Sequence, residues 1–203
     1  MLMVAVGKES SVMTVGVLAL QGAFAEHRRM LTRLGVDSVE IRNTRDFARP
    51  CDGLILPGGE STVMGKLLRD LGLFAPLRER IEAGMPTLGT CAGLILLARR
   101  IEGEETVHFG LMDITACRNA YGRQLGSFQT CEGFLGKDIP MIFIRAPYIT
   151  SAGRDVEVLS KVDGRIVAAR QKNMLACAFH PELSDDTTVH EAFLKLVSGP
   201  VSA

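Results

Sequence analysis

Tryptophan is absent from the 203 residues and tyrosine occurs only twice, which leaves little aromatic surface for stacking nucleobases. Charge of one sign is lacking too. The 23 Lys and Arg balance 23 Asp and Glu, and no basic block is present to draw in a polyanion or an anionic membrane surface. No apolar stretch approaches the roughly 20 residues that span a bilayer. The opening MLMVAV is a six-residue apolar run with no basic region before it, too short for the core of a secretory signal. The five cysteines, Cys51, Cys91, Cys117, Cys131 and Cys177, are odd in number and widely spaced, with no C-x-x-C pair. That argues against a disulfide framework and a structural zinc site, and fits a reducing cytosol. A phosphate loop is missing as well, because Gly65-Lys66 is followed by Leu67 and the position five before Gly65 is Glu60. No G-x-G-x-x-G occurs. The expectation is a cytoplasmic protein without nucleic-acid, membrane, metal or cofactor partners.

What is present is a core. Apolar residues make up 47% of the chain, ordinary for a globular protein of one domain. TVGVLAL (14–20) is a short, partly β-branched apolar run and reads as a buried strand. Residues 23–34 follow as an amphipathic helix stopped by Gly35. SVEIR and DGLILPGG read as further strands, 62–71 and 76–83 as helices, and PTLG as a fourth strand feeding an apolar helix that starts near Cys91. Short apolar strands alternating with helices predict an α/β fold with a mostly parallel, doubly covered sheet. The second half carries strand patterns in MIFIRAP, in VEVLSKVDGRIVAAR with Asp163-Gly164 as a hairpin turn, and in NMLACAFHPEL, before a closing helix over 189–197. The strand pattern begins only after Met13, so residues 1–12 are read as an extension and 13–203 as the domain.

Gly89-Thr90-Cys91-Ala92-Gly93 has the G-x-nucleophile-x-G form of a strand-to-helix elbow, with a strand pattern before it and a helix pattern after. A helix N-terminus stabilises a thiolate, and the Ala92 N–H would be free as an oxyanion donor. On the pentapeptide alone, Cys91 reads equally well as a small packing residue. A cysteine nucleophile needs a base and the base an orienting group. His27, His108 and His190 read as solvated or packing residues. His180 ends an apolar strand and is followed by Pro181-Glu182, and side chains at i and i+2 of an extended chain share a face. Glu182 would then hold one imidazole nitrogen while the other faces Cys91. Pro57-Gly58-Gly59-Glu60-Ser61-Thr62 also ends a strand and opens a helix. It suits either a capped turn or a backbone that offers an N–H to an oxyanion.

These pieces, in this order, resemble the class I (triad) glutamine amidotransferases. LQGAFAEH, GLILPGGESTVMGKLL, GTCAGLILLA, RNAYGRQLGSF, FIRAP and HPEL resemble more closely the glutaminase subunits of pyridoxal 5'-phosphate synthase. The resemblance implies a three-layer α/β/α, flavodoxin-like fold. It implies hydrolysis of L-glutamine to glutamate and ammonia through a thioester on Cys91, with His180 relaying protons, Glu182 orienting it, and the Gly59 and Ala92 N–H groups holding the oxyanion. Glutamine contacts carry over to Gly59, Glu60, Ser61, Arg118, Ile144 and Arg145. The partner it implies is a TIM-barrel synthase, which activates the glutaminase on docking. That synthase joins the ammonia to ribose 5-phosphate and glyceraldehyde 3-phosphate. The stretch SFQTCEGFLGKDIP departs from the usual pattern in being shorter and less acidic.

Overall fold

The computed structural model describes residues 13–118 and 126–199. The elements run β1 (Thr14–Leu18), α1 (Phe24–Arg33), β2 (Asp37–Ile41), α2 (Thr44–Phe47), β3 (Gly53–Leu56), α3 (Ser61–Asp70), α4 (Phe74–Glu82), β4 (Thr87–Thr90) and α5 (Ala92–Leu97). They continue with β5 (Ala98–Ile101), β6 (Met112–Cys117), β7 (Ser127–Phe134), β8 (Lys137–Ile144), β9 (Tyr148–Ala152), β10 (Glu157–Val162), β11 (Arg165–Gln171) and β12 (Met174–Cys177). A single 3-10 turn, Pro181–Leu183, precedes α6 (Thr188–Ser198).

The main sheet has the order β2-β1-β3-β4-β12-β11-β9-β6-β5, with β10 paired on β11. From β2 to β12 every pairing is parallel, and this half is the 2-1-3-4-5 order of doubly wound folds. β3, β4 and β12 are buried along their whole length, which is why they read as continuous apolar runs. From β12 to β6 the pairings are antiparallel, and β5 with β6 is parallel again. The less regular second half of the sequence is this antiparallel part. Asp163 (φ 48°) and Gly164 (φ 77°) form the β10–β11 turn, as the Asp-Gly signal requires.

Helices cover both faces. A Cβ on Gly53 of β3 would lie 2.7 Å from Val197 and 2.9 Å from Phe193 of α6. Gly89 of β4 pairs with Leu56, three residues on from Gly53 and so on the opposite face. Its Cβ would lie 2.7 Å from the Gly93 backbone and 2.9 Å from Leu97 of α5. These approaches put α6 and α5 on opposite sides of one sheet, the three-layer arrangement.

Three features differ from or add to the sequence reading. α2 has only four residues and too little length for periodicity; its signal is the Asn43 cap, whose Oδ1 accepts the Asp46 N–H at 3.0 Å. The apolar run after Cys91 yields a helix of just six residues, because Ala98 (φ −59°, ψ 135°) turns the chain into β5. The stretch over 127–140 lies in a separate two-stranded hairpin of β7 and β8, turned at Leu135 (φ 50°) and Gly136 (φ 82°), with Cys131 exposed on it. Residues 1–12, the proposed extension, lie outside the described residues. No described helix is long and apolar enough to cross a membrane.

Candidate active site

The site forms where the C-terminal ends of β3, β4 and β12 meet, beside the point where strand order reverses, the place doubly wound sheets reserve for ligands. At the end of β4 the chain folds back through Cys91, a non-glycine residue at φ 48°, ψ −99°. Such a conformation costs of order 1–3 kcal/mol and persists only where the surroundings impose it. Here they do. The Cys91 N–H donates to the Cys177 carbonyl at 2.8 Å, and a Cβ on Gly93 would stand 2.0 Å from the Leu56 carbonyl oxygen. The elbow closes this tightly because Gly93 carries no side chain. Cys91 itself is buried at 7% exposure.

At the end of β12, His180 is anchored by its N–H to the Ile142 carbonyl at 2.8 Å, and Pro181 opens the 3-10 turn. His180 and Glu182 therefore meet across a 3-10 turn rather than along an extended strand. The curled backbone still brings His180 Nδ1 to 2.7 Å from Glu182 Oε1. Cys91 lies beside the same imidazole, since a Cβ on Gly58 would approach both. Burial pulls the imidazole down, but the neighbouring Cys91 and the hydrogen-bonded Glu182 outweigh it and push it up to about 10. Burial raises the Glu182 carboxyl, yet His27 and His180 facing it hold it below the ordinary carboxylate value. Gly58 lets the two reacting side chains close up, since a Cβ there would be 2.3 Å from His180 Cε1 and 3.3 Å from Cys91 Cβ.

Cys91 opens onto a small cleft of about 50 Å³ lined by Gly59, Glu60, Ser61, Ile95, Arg118, Ile144, Arg145 and Pro147. All six residues expected to contact glutamine thus share one wall with the nucleophile candidate. Ala92 is the first residue of α5, where a backbone N–H has no intrahelical acceptor. The Arg118 guanidinium spans the cleft mouth, donating to Glu60 Oε1 (3.0 Å), Glu104 Oε1 (2.9 Å) and Thr62 Oγ1 (3.1 Å). Arg145 is exposed and held at φ 44°, its N–H donating to the Gly126 carbonyl. The described cleft is far below the roughly 300 Å³ of an ordinary ligand pocket. Far larger is the hollow of about 610 Å³ between Lys137, Arg170, Thr188 and Lys195. It holds none of these residues, so side-chain chemistry, not size, places the site.

Sequence reasoning left several neighbours unassigned. Gln21 Oε1 accepts the Glu60 N–H at 2.8 Å, pinning the Gly-Gly loop. Glu104 and Thr62 share Arg118. His27 and His190, read as solvated or packing residues, are fully buried and stand in a polar chain behind Glu182. The signal for Gln21 and His27 was the LQGAFAEH stretch; for His190 and Glu104 there was none.

A sheet in flavodoxin order, with a cysteine elbow after β4 and a His–Glu pair after β12, defines a triad-type glutamine amidotransferase. Residues 17–198 match the SNO glutamine amidotransferase family, and the chain belongs to that family. It is 62% identical, over 92% of its length and 99% of the relative's, to the Pyridoxal 5'-phosphate synthase subunit PdxT of Methanocorpusculum labreanum. To the protein of the same name from Streptococcus pneumoniae it is 58% identical, over 91% of this chain and 97% of that one. A solved structure described as a glutamine amidotransferase superposes with a TM-score of 0.86 at 43% identity, covering 91% of this chain and 98% of its own. The structure of a glutamine amidotransferase from Thermotoga maritima shares the fold alone, with a TM-score of 0.60 at 13% identity over 92% of this chain and 83% of that one.

Proposed function

We propose that this chain is the glutaminase subunit of a pyridoxal 5'-phosphate synthase, with Cys91, His180 and Glu182 as its catalytic triad. The observation that carries the assignment is the His180–Glu182 hydrogen bond set beside Cys91, with Cys91 opening onto the cleft between Glu60 and Arg118. Glu60 offers a carboxylate to the substrate ammonium, and Arg118 a planar fork to its carboxylate. Cys91 Sγ, its proton already passed to His180, attacks the side-chain amide carbon of L-glutamine, and the Gly59 and Ala92 N–H groups receive the oxyanion, donors of a kind worth about 10²–10³ in rate. His180, protonated at neutral pH because its neighbours push it up to about 10, gives its proton to the leaving nitrogen. The C–N bond breaks, ammonia departs, and the acyl group remains as a thioester on Cys91. His180, now neutral, takes a proton from water, whose oxygen attacks the thioester. The C–S bond breaks, glutamate leaves, and Cys91 Sγ is freed with His180 protonated again, as at the start. Ser61, Ile144 and Arg145 complete the glutamine contacts.

The ammonia passes to a TIM-barrel synthase subunit, whose docking activates the glutaminase. The tight cleft and an Arg118 engaged by Glu60, Glu104 and Thr62 support a site that waits for such a partner. Residues 13–203 form the catalytic domain, and the five free cysteines support a cytoplasmic setting. Glutamate release from L-glutamine, with and without the synthase subunit, tests the reading. Cys91→Ala and His180→Asn are expected to abolish release while the far-UV circular dichroism stays that of the wild type. Full activity in either variant would remove the triad assignment.

A further inference from the structure

Glu182 is a fully buried carboxylate with two oxygens to satisfy, and His180 serves only Oε1. Among the described residues no hydrogen bond reaches Oε2, but His27 Nε2 lies 3.4 Å from it, with both side chains at zero exposure. A buried anion left half-served is costly, so a donor aimed at the second oxygen matters. The same nitrogen stands 3.1 Å from Thr90 Oγ1, on the residue before Cys91. On its far side, His27 Nδ1 meets His190 Nε2 at 2.9 Å. Among the described residues, His190 Nδ1 is buried without a hydrogen-bond partner.

That last atom fixes the tautomers. Burial lowers both histidines, so each carries one ring N–H. If His27 placed its proton on Nδ1, His190 would have to carry an orphaned Nδ1–H, and His27 would turn a lone pair toward an anion. Orphaned buried N–H groups are rare. With the protons on His190 Nε2 and His27 Nε2, the orphan atom is a bare lone pair. His190 then donates to His27, and His27 Nε2–H donates to Thr90 Oγ1 with its edge 3.4 Å from Glu182 Oε2.

We infer that His27 is a positioning residue of the catalytic triad: its Nε2–H, bonded to Thr90, sets a positive edge against the second oxygen of Glu182, and His190 locks the tautomer that makes this possible. The inference rests on the triad assignment above. It gives α1 and α6, which carry no reacting group, a part in the chemistry: α1 brings His27 to the back of the His180–Glu182 turn and to the elbow at once. The groups facing His27 are Glu182 and His180 from the 3-10 turn, His190 from α6, Thr90 from β4 and Glu26 from its own helix; Cys177 of β12 faces Glu182 from below.

The test measures kcat and KM for glutamine from pH 6 to 10, in the presence of the synthase subunit, for the wild type, His27→Phe, His27→Gln and His190→Leu. His27→Phe keeps the ring volume and removes the donor. It is expected to lower kcat by about 10–100-fold, the scale on which partners that orient a functional group act, with KM nearly unchanged. Its alkaline limb should move down by about one pH unit, because a less firmly held carboxylate supports the His180 imidazolium less well. His27→Gln restores an N–H and should recover most of kcat; His190→Leu, which unlocks the tautomer, should lose kcat with the same unchanged KM. Wild-type kcat in His27→Phe, or a loss confined to KM, overturns the inference. Should His27→Phe fail to fold, wild-type kcat in His190→Leu overturns it equally. Cys91→Ala, run alongside, separates the two levels: retained activity there removes the triad itself, whatever His27 does.

Discussion

Replacing His190 by leucine should make the fold less sensitive to acid, and the size of the effect follows from burial. In the folded chain His190 sits at zero exposure, where burial first, and then the neighbouring His27, push its ring down to about 3 against an ordinary 6.5. An unfolded chain takes up a proton there below about pH 6.5, while the folded chain resists until about pH 3. Between those values the unfolded state binds one more proton, so acid draws the equilibrium toward it; above pH 6.5 neither state binds and the contribution vanishes. At pH 5 the unfolded histidine is some 1.5 units past its midpoint, which at about 1.4 kcal/mol per unit makes about 2 kcal/mol lost by the wild type relative to pH 7. His180, pushed up to about 10, is protonated in the folded state throughout. Unfolding releases that proton above about pH 6.5 and retains it below, which offsets part of the acid sensitivity, equally in both proteins. Glu182, lowered from 4.5, enters only in more acid solution. His27, also lowered, contributes in both proteins. Urea unfolding at pH 7 and pH 5, followed by far-UV circular dichroism because the chain has no tryptophan, gives the two differences. The wild type should lose about 2 kcal/mol more than His190→Leu. Equal pH dependence in the two proteins would refute the burial argument.

Two other perturbations probe the elbow and the cleft. Gly93→Ala places a methyl 2.0 Å from a backbone oxygen that no rotamer can move aside. Overpacking of this kind costs about 1–3 kcal/mol, or about 3–10 °C in Tm for a chain of this size. Displacing the nucleophile by an ångström should cost about 100-fold in kcat; calorimetry and steady-state assays that both return wild-type values would deny the contact. Arg118→Ala removes a fork that now binds Glu60, Glu104 and Thr62. If that fork receives the substrate carboxylate, a lost charge-assisted bond of about 1.5–3 kcal/mol raises KM roughly 10–100-fold, with kcat much less affected. An unchanged KM would reassign Arg118 to structure.

The parallel half of the sheet was legible in the chain because each of its buried strands is a short apolar run closed by glycine or proline, and because the helix between β1 and β2 has a plain polar–apolar alternation. The elbow was legible too: Gly89 and Gly93 flank Cys91 for a steric reason visible in the spacing alone. His180 and Glu182 are two residues apart, so their meeting needed only a local turn, although the turn is 3-10 and not extended. What lay beyond reading joins positions distant in sequence. His27 and His190 are 163 residues apart, and each looks unremarkable in its own amphipathic helix; only the packing of α1 beside α6 excludes water from both rings and aims one at Glu182. Arg118 and Glu60, 58 residues apart, likewise meet only because the ends of β3 and β6 open onto one cleft. Local sterics and periodicity write the elements and the elbow into the sequence. Which polar groups share a dry interior, and therefore which protons they hold, is decided by the tertiary structure, because desolvation depends on every element that closes over them.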